Sequence, residues 1–230
     1  MSYLPYVDAQ TTAVRQGVLN QVYAWMTAGL LVTGAVAMTV ANSVALTRLI
    51  FGNPIIFFAL FLLQIVAVVG LSAAVNRLSP AAAMAIFIGY AMLNGLTFSA
   101  IFLAYTAESI AGTFFVTAGM FGSVSAYGYF TKRDLSGLGS FLFMALIGLL
   151  LASVVNIFWA NSALYWIITY AGVLIFVGLT AWDTQKIKHL AAQVNNETEA
   201  GRVAAIGALT LYLDFINLFI YLLRILGNRR

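Results

Sequence analysis

Two aspartates, Asp183 and Asp214, lie at the edge of or inside the last two long apolar stretches of this 230-residue chain. They stand out because only 8% of the residues are charged. An ionised Asp at the centre of a bilayer costs about 3 kcal/mol by insertion scales, and it persists there only beside a partner or a water-filled cavity. Chemistry that depends on protons or cations is therefore expected at these two carboxyl groups.

Three further polar residues are candidates for the same site. Asn217 follows Asp214 by three residues and so shares its helical face, Thr184 follows Asp183 directly, and Asn94 interrupts an earlier apolar stretch. The ordinary role of such amides and hydroxyls is hydrogen bonding between membrane helices. Asp183 on its own could equally be an interfacial carboxylate, whereas Asp214 is a charge within a span and points to function.

The two carboxylates can meet if the last two helices run antiparallel. They could meet if Trp166 marks the far interface, the sixth span extends past Trp182 and the seventh begins a little later than Ala205. Like charge and partial desolvation would then oppose ionisation of both groups, so the pair is predicted to share a proton and to act as a pH sensor. Arg77, at the end of the second span, is the nearest candidate cation and is predicted to be the latch that neutralises the ionised pair.

The elements that position these residues follow from composition and length. Hydrophobic residues make up 63% of the chain, its mean hydropathy is +0.98, and a membrane helix needs about 20 apolar residues. Runs that are apolar on all faces exclude a transmembrane β-barrel. The sequence predicts an all-α integral membrane protein with one membrane domain, 1–230, and seven transmembrane helices at about 22–41, 54–75, 82–104, 110–130, 138–158, 164–182 and 205–226.

The net charge of +4 is interpreted as membrane topology and not as a nucleic-acid surface. With seven spans, one side receives Arg15, Arg77, Lys132, Arg133, Lys186, Lys188 and Arg202, and the other receives Arg48, Arg224, Arg229 and Arg230. The positive-inside rule places the N-terminus in the cytoplasm. A last segment that enters and leaves on the same side would steepen the bias, but 209–226 contains no Gly or Pro for such a turn.

Several classes of site are excluded or disfavoured by what the sequence contains. Cysteine is absent and His189 is the only histidine, so we expect no ordinary zinc site and no cofactor. Every lysine lies in a predicted connection, which disfavours a retinal protein. Gly137-Leu138-Gly139-Ser140 has no helix-borne base beside it, and neither aspartate follows a glycine as in aspartyl intramembrane proteases. No enzyme activity is expected.

Two stretches carry a resemblance to a known family. The segments 178–187, Gly-Leu-Thr-Ala-Trp-Asp-Thr-Gln-Lys-Ile, and 208–219, Ala-Leu-Thr-Leu-Tyr-Leu-Asp-Phe-Ile-Asn-Leu-Phe, resemble the most characteristic motifs of the transmembrane Bax inhibitor motif family. Segments 94–97, 105–110 and 128–135 add to this likeness, which extends over essentially the whole chain. Trp182 departs from the pattern, because many relatives have Tyr there.

The resemblance implies a fold in which the last helix is central and wrapped by the others. It also implies a pH-sensitive calcium leak of the cell membrane, with Asp183 and Asp214 as sensor and transient calcium ligands and Arg77 as the closing latch. Asn217, Thr184 and Asn94 would support the ion, which is cargo and not a bound cofactor. The alternative is a regulator that binds other membrane proteins in proteolysis or a stress response and transports nothing itself.

Overall fold

Eight α-helices make up most of the chain in a computed structural model. The model describes residues 4–230, with side chains described from Gly17 onward except that of Asn76. About 90% of the chain is helical and no strand occurs among the described residues. The helices are α1 (Leu4–Ala41), α2 (Val44–Phe51), α3 (Pro54–Ala74), α4 (Pro80–Ala104), α5 (Ala107–Phe130), α6 (Ser136–Trp159), α7 (Ser162–Gln193) and α8 (Glu197–Leu226).

The predicted all-α membrane fold with seven spans is confirmed. All helices except α2 are long and apolar enough to cross a bilayer, and the first span runs from Gly17 to Ala41. The short helix α2 was not predicted, because its eight residues cannot cross a bilayer and the sequence was interpreted as a connection there. The Ser43 hydroxyl caps it by accepting a hydrogen bond from the Leu46 N–H. Arg15, which entered the orientation argument, has a side chain outside the described residues.

The ends of the last two spans differ from the prediction. Helix α7 does continue past Trp182, to Gln193, but α8 begins at Glu197, before the predicted start at about 205 and not a little after it. Reciprocal capping explains the early start: the Asn196 side chain accepts from the Glu199 N–H, and the Glu199 carboxylate accepts from the Asn195 N–H. Polar residues therefore extend both helices beyond their apolar cores.

The chain divides into two compact units. Unit 1 contains residues 4–104, 189–212 and Arg230, and unit 2 contains residues 105–188 and 213–229. Helices α7 and α8 each contribute to both units, because the divisions fall inside them. The single membrane domain inferred from the sequence stays a prediction.

Unit 1 is held together where α1, α4 and α8 approach closely. A Cβ atom on Gly29 would lie 2.5 Å from the ring of Phe87, and one on Gly95 would lie 2.6 Å from Cβ of Val36. The Tyr212 ring packs edge-on against the Phe87 ring, with centroids 5.6 Å apart. Its hydroxyl lies 2.6 Å from the hydroxyl of Thr33 on α1. Small residues thus let the helices meet and a buried hydroxyl pair fixes their register.

The helices differ greatly in how much of their surface is covered. Only 6% of the residues are buried in the most apolar part of α3, and only 11% in the most apolar part of α6. Such low burial is typical of helices that face lipid. The corresponding window of α8 is 67% buried, the highest value of the seven spans. The last helix is therefore the one most enclosed by protein, and it carries Asp214.

Candidate functional site

The structure brings Asp183 and Asp214 together within unit 2. Their side chains lie within hydrogen-bonding reach of each other and interact through their charges. Asp183 is 6% exposed and Asp214 4% exposed. Among the described residues, no N–H or O–H group donates to Oδ2 of Asp214. The site is therefore a desolvated carboxyl pair with an acceptor atom that no protein donor satisfies.

A positive charge that acts on this pair belongs to Lys186, on the same helix as Asp183. Its ammonium group acts on the Asp183 carboxyl group and lies 4.9 Å from the ring centroid of Trp182. A cation over the face of a Trp ring is attracted by the ring, which holds the ammonium group near Trp182. The site therefore combines two acidic groups with one adjacent ammonium group.

Consecutive polar residues after Asp183 fix its position by bonding in different directions. The Thr184 hydroxyl forms a 2.8 Å hydrogen bond with the Ser125 hydroxyl of α5. The Gln185 side chain accepts from the Leu135 N–H at 2.9 Å and donates to the Arg133 carbonyl at 2.8 Å. Because both side chains are buried and bonded to other segments, the backbone that carries Asp183 is held from two sides.

Glycines allow the neighbouring helices to reach this part of α7. A Cβ atom on Gly128 of α5 would collide with the backbone carbonyl of Ala181, and one on Gly139 of α6 would collide with the Trp182 ring. Only glycine fits at such close helix contacts. The segment 181–185 is thus packed against α5 and α6 while Asp183 faces Asp214.

The other residues predicted for the site lie elsewhere or have other partners. Asn217 is half-buried and donates its amide to the Leu213 carbonyl of its own helix at 2.8 Å. Asn94 belongs to unit 1, where it is buried. Arg77 is exposed in a 3₁₀ turn of unit 1, and its role as a latch stays a prediction.

Sequence reasoning did not identify Ser125 and Gln185 as parts of this site. Gln185 directly follows the predicted pair Asp183-Thr184, so its position in the motif could have identified it as part of the site. Ser125 was less visible, although it continues a four-residue spacing with Ser109, Thr113, Thr117 and Phe121 along α5. A polar stripe of this kind in an apolar helix indicates a face turned toward protein.

Comparison with known proteins identifies the family to which this chain belongs. Residues 15–230 match the model of a family described as inhibitor of apoptosis-promoting Bax1. The chain belongs to the Bax inhibitor family. It is thus a family member with seven membrane-crossing helices, which makes it a multi-pass membrane protein.

Bacterial relatives match this Bax inhibitor family member over nearly its whole length. The inner membrane protein YbhL of Escherichia coli is 53% identical over 234 residues, covering 100% of both chains. A protein of Borreliella burgdorferi is 42% identical and covers 97% of both, and the protein RP147 of Rickettsia prowazekii is 42% identical over 91% of this chain and 89% of its own.

Proposed function

We propose that this Bax inhibitor family member is a pH-sensitive calcium leak of the cytoplasmic membrane, gated by protonation of the Asp183 and Asp214 pair. The observation that carries the proposal is the buried contact between two acidic side chains on the last two spans. Intramembrane carboxylates typically mark ion pathways and proton relays, because nothing else compensates for their cost in the bilayer.

The chemistry of the pair favours a proton-controlled state. Two ionised carboxylates in contact and away from water repel each other, whereas one shared proton turns the same contact into a hydrogen bond. Loss of that proton would leave Oδ2 of Asp214 charged, buried and without a protein donor. The doubly ionised pair is therefore expected to separate or to attract a cation, and either change shifts the population of α8 positions.

The ligand set suits an ion that passes and does not stay. Calcium takes six to eight oxygen ligands when it is bound tightly. Of the predicted supporting groups, the Thr184 hydroxyl is bonded to Ser125 and the Asn217 amide to its own helix. Two carboxyl groups then offer few fixed ligands, and weak binding lets an ion leave after it enters. The proposal includes no enzymatic step and no cofactor.

The proposed location and orientation have separate support. YbhL of Escherichia coli is by name an inner membrane protein, and the seven apolar helices fit a multi-pass protein there. The excess of basic residues at alternate connections supports an N-terminus in the cytoplasm. Labelling of single introduced cysteines with an impermeant reagent in intact cells would test the orientation, since the natural chain has none.

Calcium flux by the purified protein tests the function. The protein is reconstituted into liposomes that contain a calcium indicator, and influx is recorded at several pH values. The proposal expects influx above that of empty liposomes and a rate that changes with pH. Absence of flux at every pH would refute the leak and favour the regulatory alternative, because a regulator that binds other membrane proteins carries no ions. Arg77→Gln tests the latch in the same assay by its effect on the pH response.

A further inference from the structure

A row of hydroxyl groups on α5 begins at an open cavity and ends at Ser125, which is bonded to the residue next to Asp183. Ser109, Thr113, Thr117 and Ser125 follow one another at intervals of four residues along a ridge that winds around α5, and the place between the last two is taken by Phe121. Thr113, Thr117, Phe121 and Ser125 are buried. Each step of four residues is about 6 Å along a helix, so the row from Ser109 to Ser125 covers about 24 Å.

The outer end of this row opens into a cavity of about 610 Å³ within unit 2. Its polar lining includes Glu108, Ser109, Thr113, Thr106 and Asn228. The cavity lies at the first turns of α5 and beside the last residues of the chain, whereas Ser125 lies toward the other end of α5. Glu108 provides a carboxylate at the entrance that attracts cations.

The inner end of the row reaches the candidate functional site. The Ser125 hydroxyl is bonded to Thr184, the residue next to Asp183. The partner of Asp183 is Asp214, whose buried Oδ2 has no donor among the described residues. This unsatisfied acceptor is an independent sign that a proton, a water molecule or a cation belongs at the inner end.

Aromatic rings interrupt the row one helical turn before Ser125. The Phe121 ring meets the Phe215 ring of α8 with centroids 5.4 Å apart, and Phe215 directly follows Asp214. Phe114 also packs against Phe215, with centroids 5.4 Å apart. Phe121 and Phe215 are 4% and 3% exposed. The Phe121 and Phe215 rings meet edge to face and offer no polar group to an ion. Apolar constrictions in channels act as barriers by excluding water.

We propose that the hydroxyl row of α5 is the route by which cations reach the carboxyl pair, and that the Phe121–Phe215 contact is its hydrophobic barrier. The inference rests on the proposed leak and adds its route and constriction. Because Phe215 adjoins Asp214 on α8, a displacement of this helix that separates the carboxyl groups also moves one ring of the barrier. The same helix would thereby link the proton-binding site to the opening of the route.

Flux through Phe121 variants tests the barrier. Phe121→Ser completes the hydroxyl row and is expected to raise calcium influx into liposomes about tenfold or more, which needs a barrier lower by only about 1.4 kcal/mol. Phe121→Trp enlarges the apolar group and is expected to slow influx. Phe115→Ser is the matched control, because this ring on the same helix is 73% exposed, and it should leave the rate unchanged. Wild-type rates in both Phe121 variants would overturn the barrier.

Thiol accessibility tests the route without any reference to calcium. Thr113→Cys and Ser125→Cys are made separately, each alone and combined with Phe121→Ser, and treated with a cationic methanethiosulfonate reagent from the side on which Asn228 lies. The Thr113→Cys thiol should react in both backgrounds, and the Ser125→Cys thiol only with Phe121→Ser. An unreactive Thr113→Cys thiol, or a Ser125→Cys thiol that Phe121→Ser does not expose, would overturn the route.

The two assays separate the two proposals. A protein that shows the expected thiol pattern but carries no calcium at any pH would refute the leak while leaving the water-accessible route in place. A protein with pH-dependent flux whose Ser125→Cys thiol is reached without passing Phe121 would keep the leak and refute the route.

Discussion

Replacing Gly128 by Ala tests the helix contact that positions Asp183. The added Cβ would meet the Ala181 carbonyl oxygen and lie 2.9 Å from Cα of Ala181, whereas carbon atoms normally approach to about 3.5 to 4.0 Å. Because both sides of this contact are helix backbone, α5 and α7 must separate locally by on the order of 1 Å. A shift of that size would stretch the 2.8 Å bond between Ser125 and Thr184 beyond hydrogen-bonding range.

The expected loss of stability combines two terms. Overpacking costs about 1 to 3 kcal/mol and a lost buried hydrogen bond about 1 kcal/mol, which together give about 2 to 4 kcal/mol. Gly122→Ala is the matched control, since Gly122 lies on the same helix and an added Cβ there meets no atom within 4 Å. Both substitutions gain the same helix propensity, up to about 1 kcal/mol. The difference in stability between the two variants therefore measures the packing effect alone.

Thermal unfolding in detergent measures this difference. For a chain of this length about 2 to 4 °C corresponds to 1 kcal/mol, so Gly128→Ala is expected to have a Tm about 4 to 16 °C below that of Gly122→Ala. The pH response of calcium influx should change in Gly128→Ala as well, because Asp183 adjoins Thr184. Equal melting temperatures would contradict the close approach of α5 and α7 from which the position of Asp183 is derived.

Two further substitutions test the bonds that hold the units internally. Tyr212→Phe removes the hydroxyl that meets Thr33, and a cost of about 1 to 2 kcal/mol should lower the Tm by about 2 to 8 °C; an unchanged Tm would show that this buried bond is not formed. Gln185→Leu leaves two backbone groups of the connection 133–135 without partners, so limited proteolysis there should become faster than in Gln193→Leu, an exposed position on the same helix. Equal cleavage would argue against the anchoring role of Gln185.

The number and class of helices could be predicted from the sequence because long apolar runs have few alternatives in a bilayer. Each predicted span overlaps an observed one, and the errors concentrate at ends where polar residues continue a helix outside the apolar core. The start of α8 shows why: a reciprocal cap between Asn196 and Glu199 determines it, and hydropathy is insensitive to caps. Helix α2 was missed for a related reason, because a helix of eight residues is too short to be recognised from the length of an apolar run.

The carboxyl pair could be predicted as a candidate because charge is so rare in the apolar part of this chain. Its supporting residues were harder to identify, since their roles depend on which helices meet. Gly128 and Ser125 matter only because α5 approaches α7 closely, and no periodicity within α5 specifies that neighbour. The expected support from Asn217 illustrates the same point: three-residue spacing placed it on the face of Asp214, but its amide bonds to its own helix.

The most direct test of the central claim is the pH dependence of calcium influx in liposomes for the wild type, Asp183→Asn and Asp214→Asn. Asn does not titrate at the pH values of the assay, so each replacement is expected to change the rate of influx and to flatten its dependence on pH. Glu197 is an exposed carboxylate on the same helix as Asp214, and Glu197→Gln should behave as the wild type. Unchanged influx and an unchanged pH response in both Asn variants would contradict gating by the shared proton.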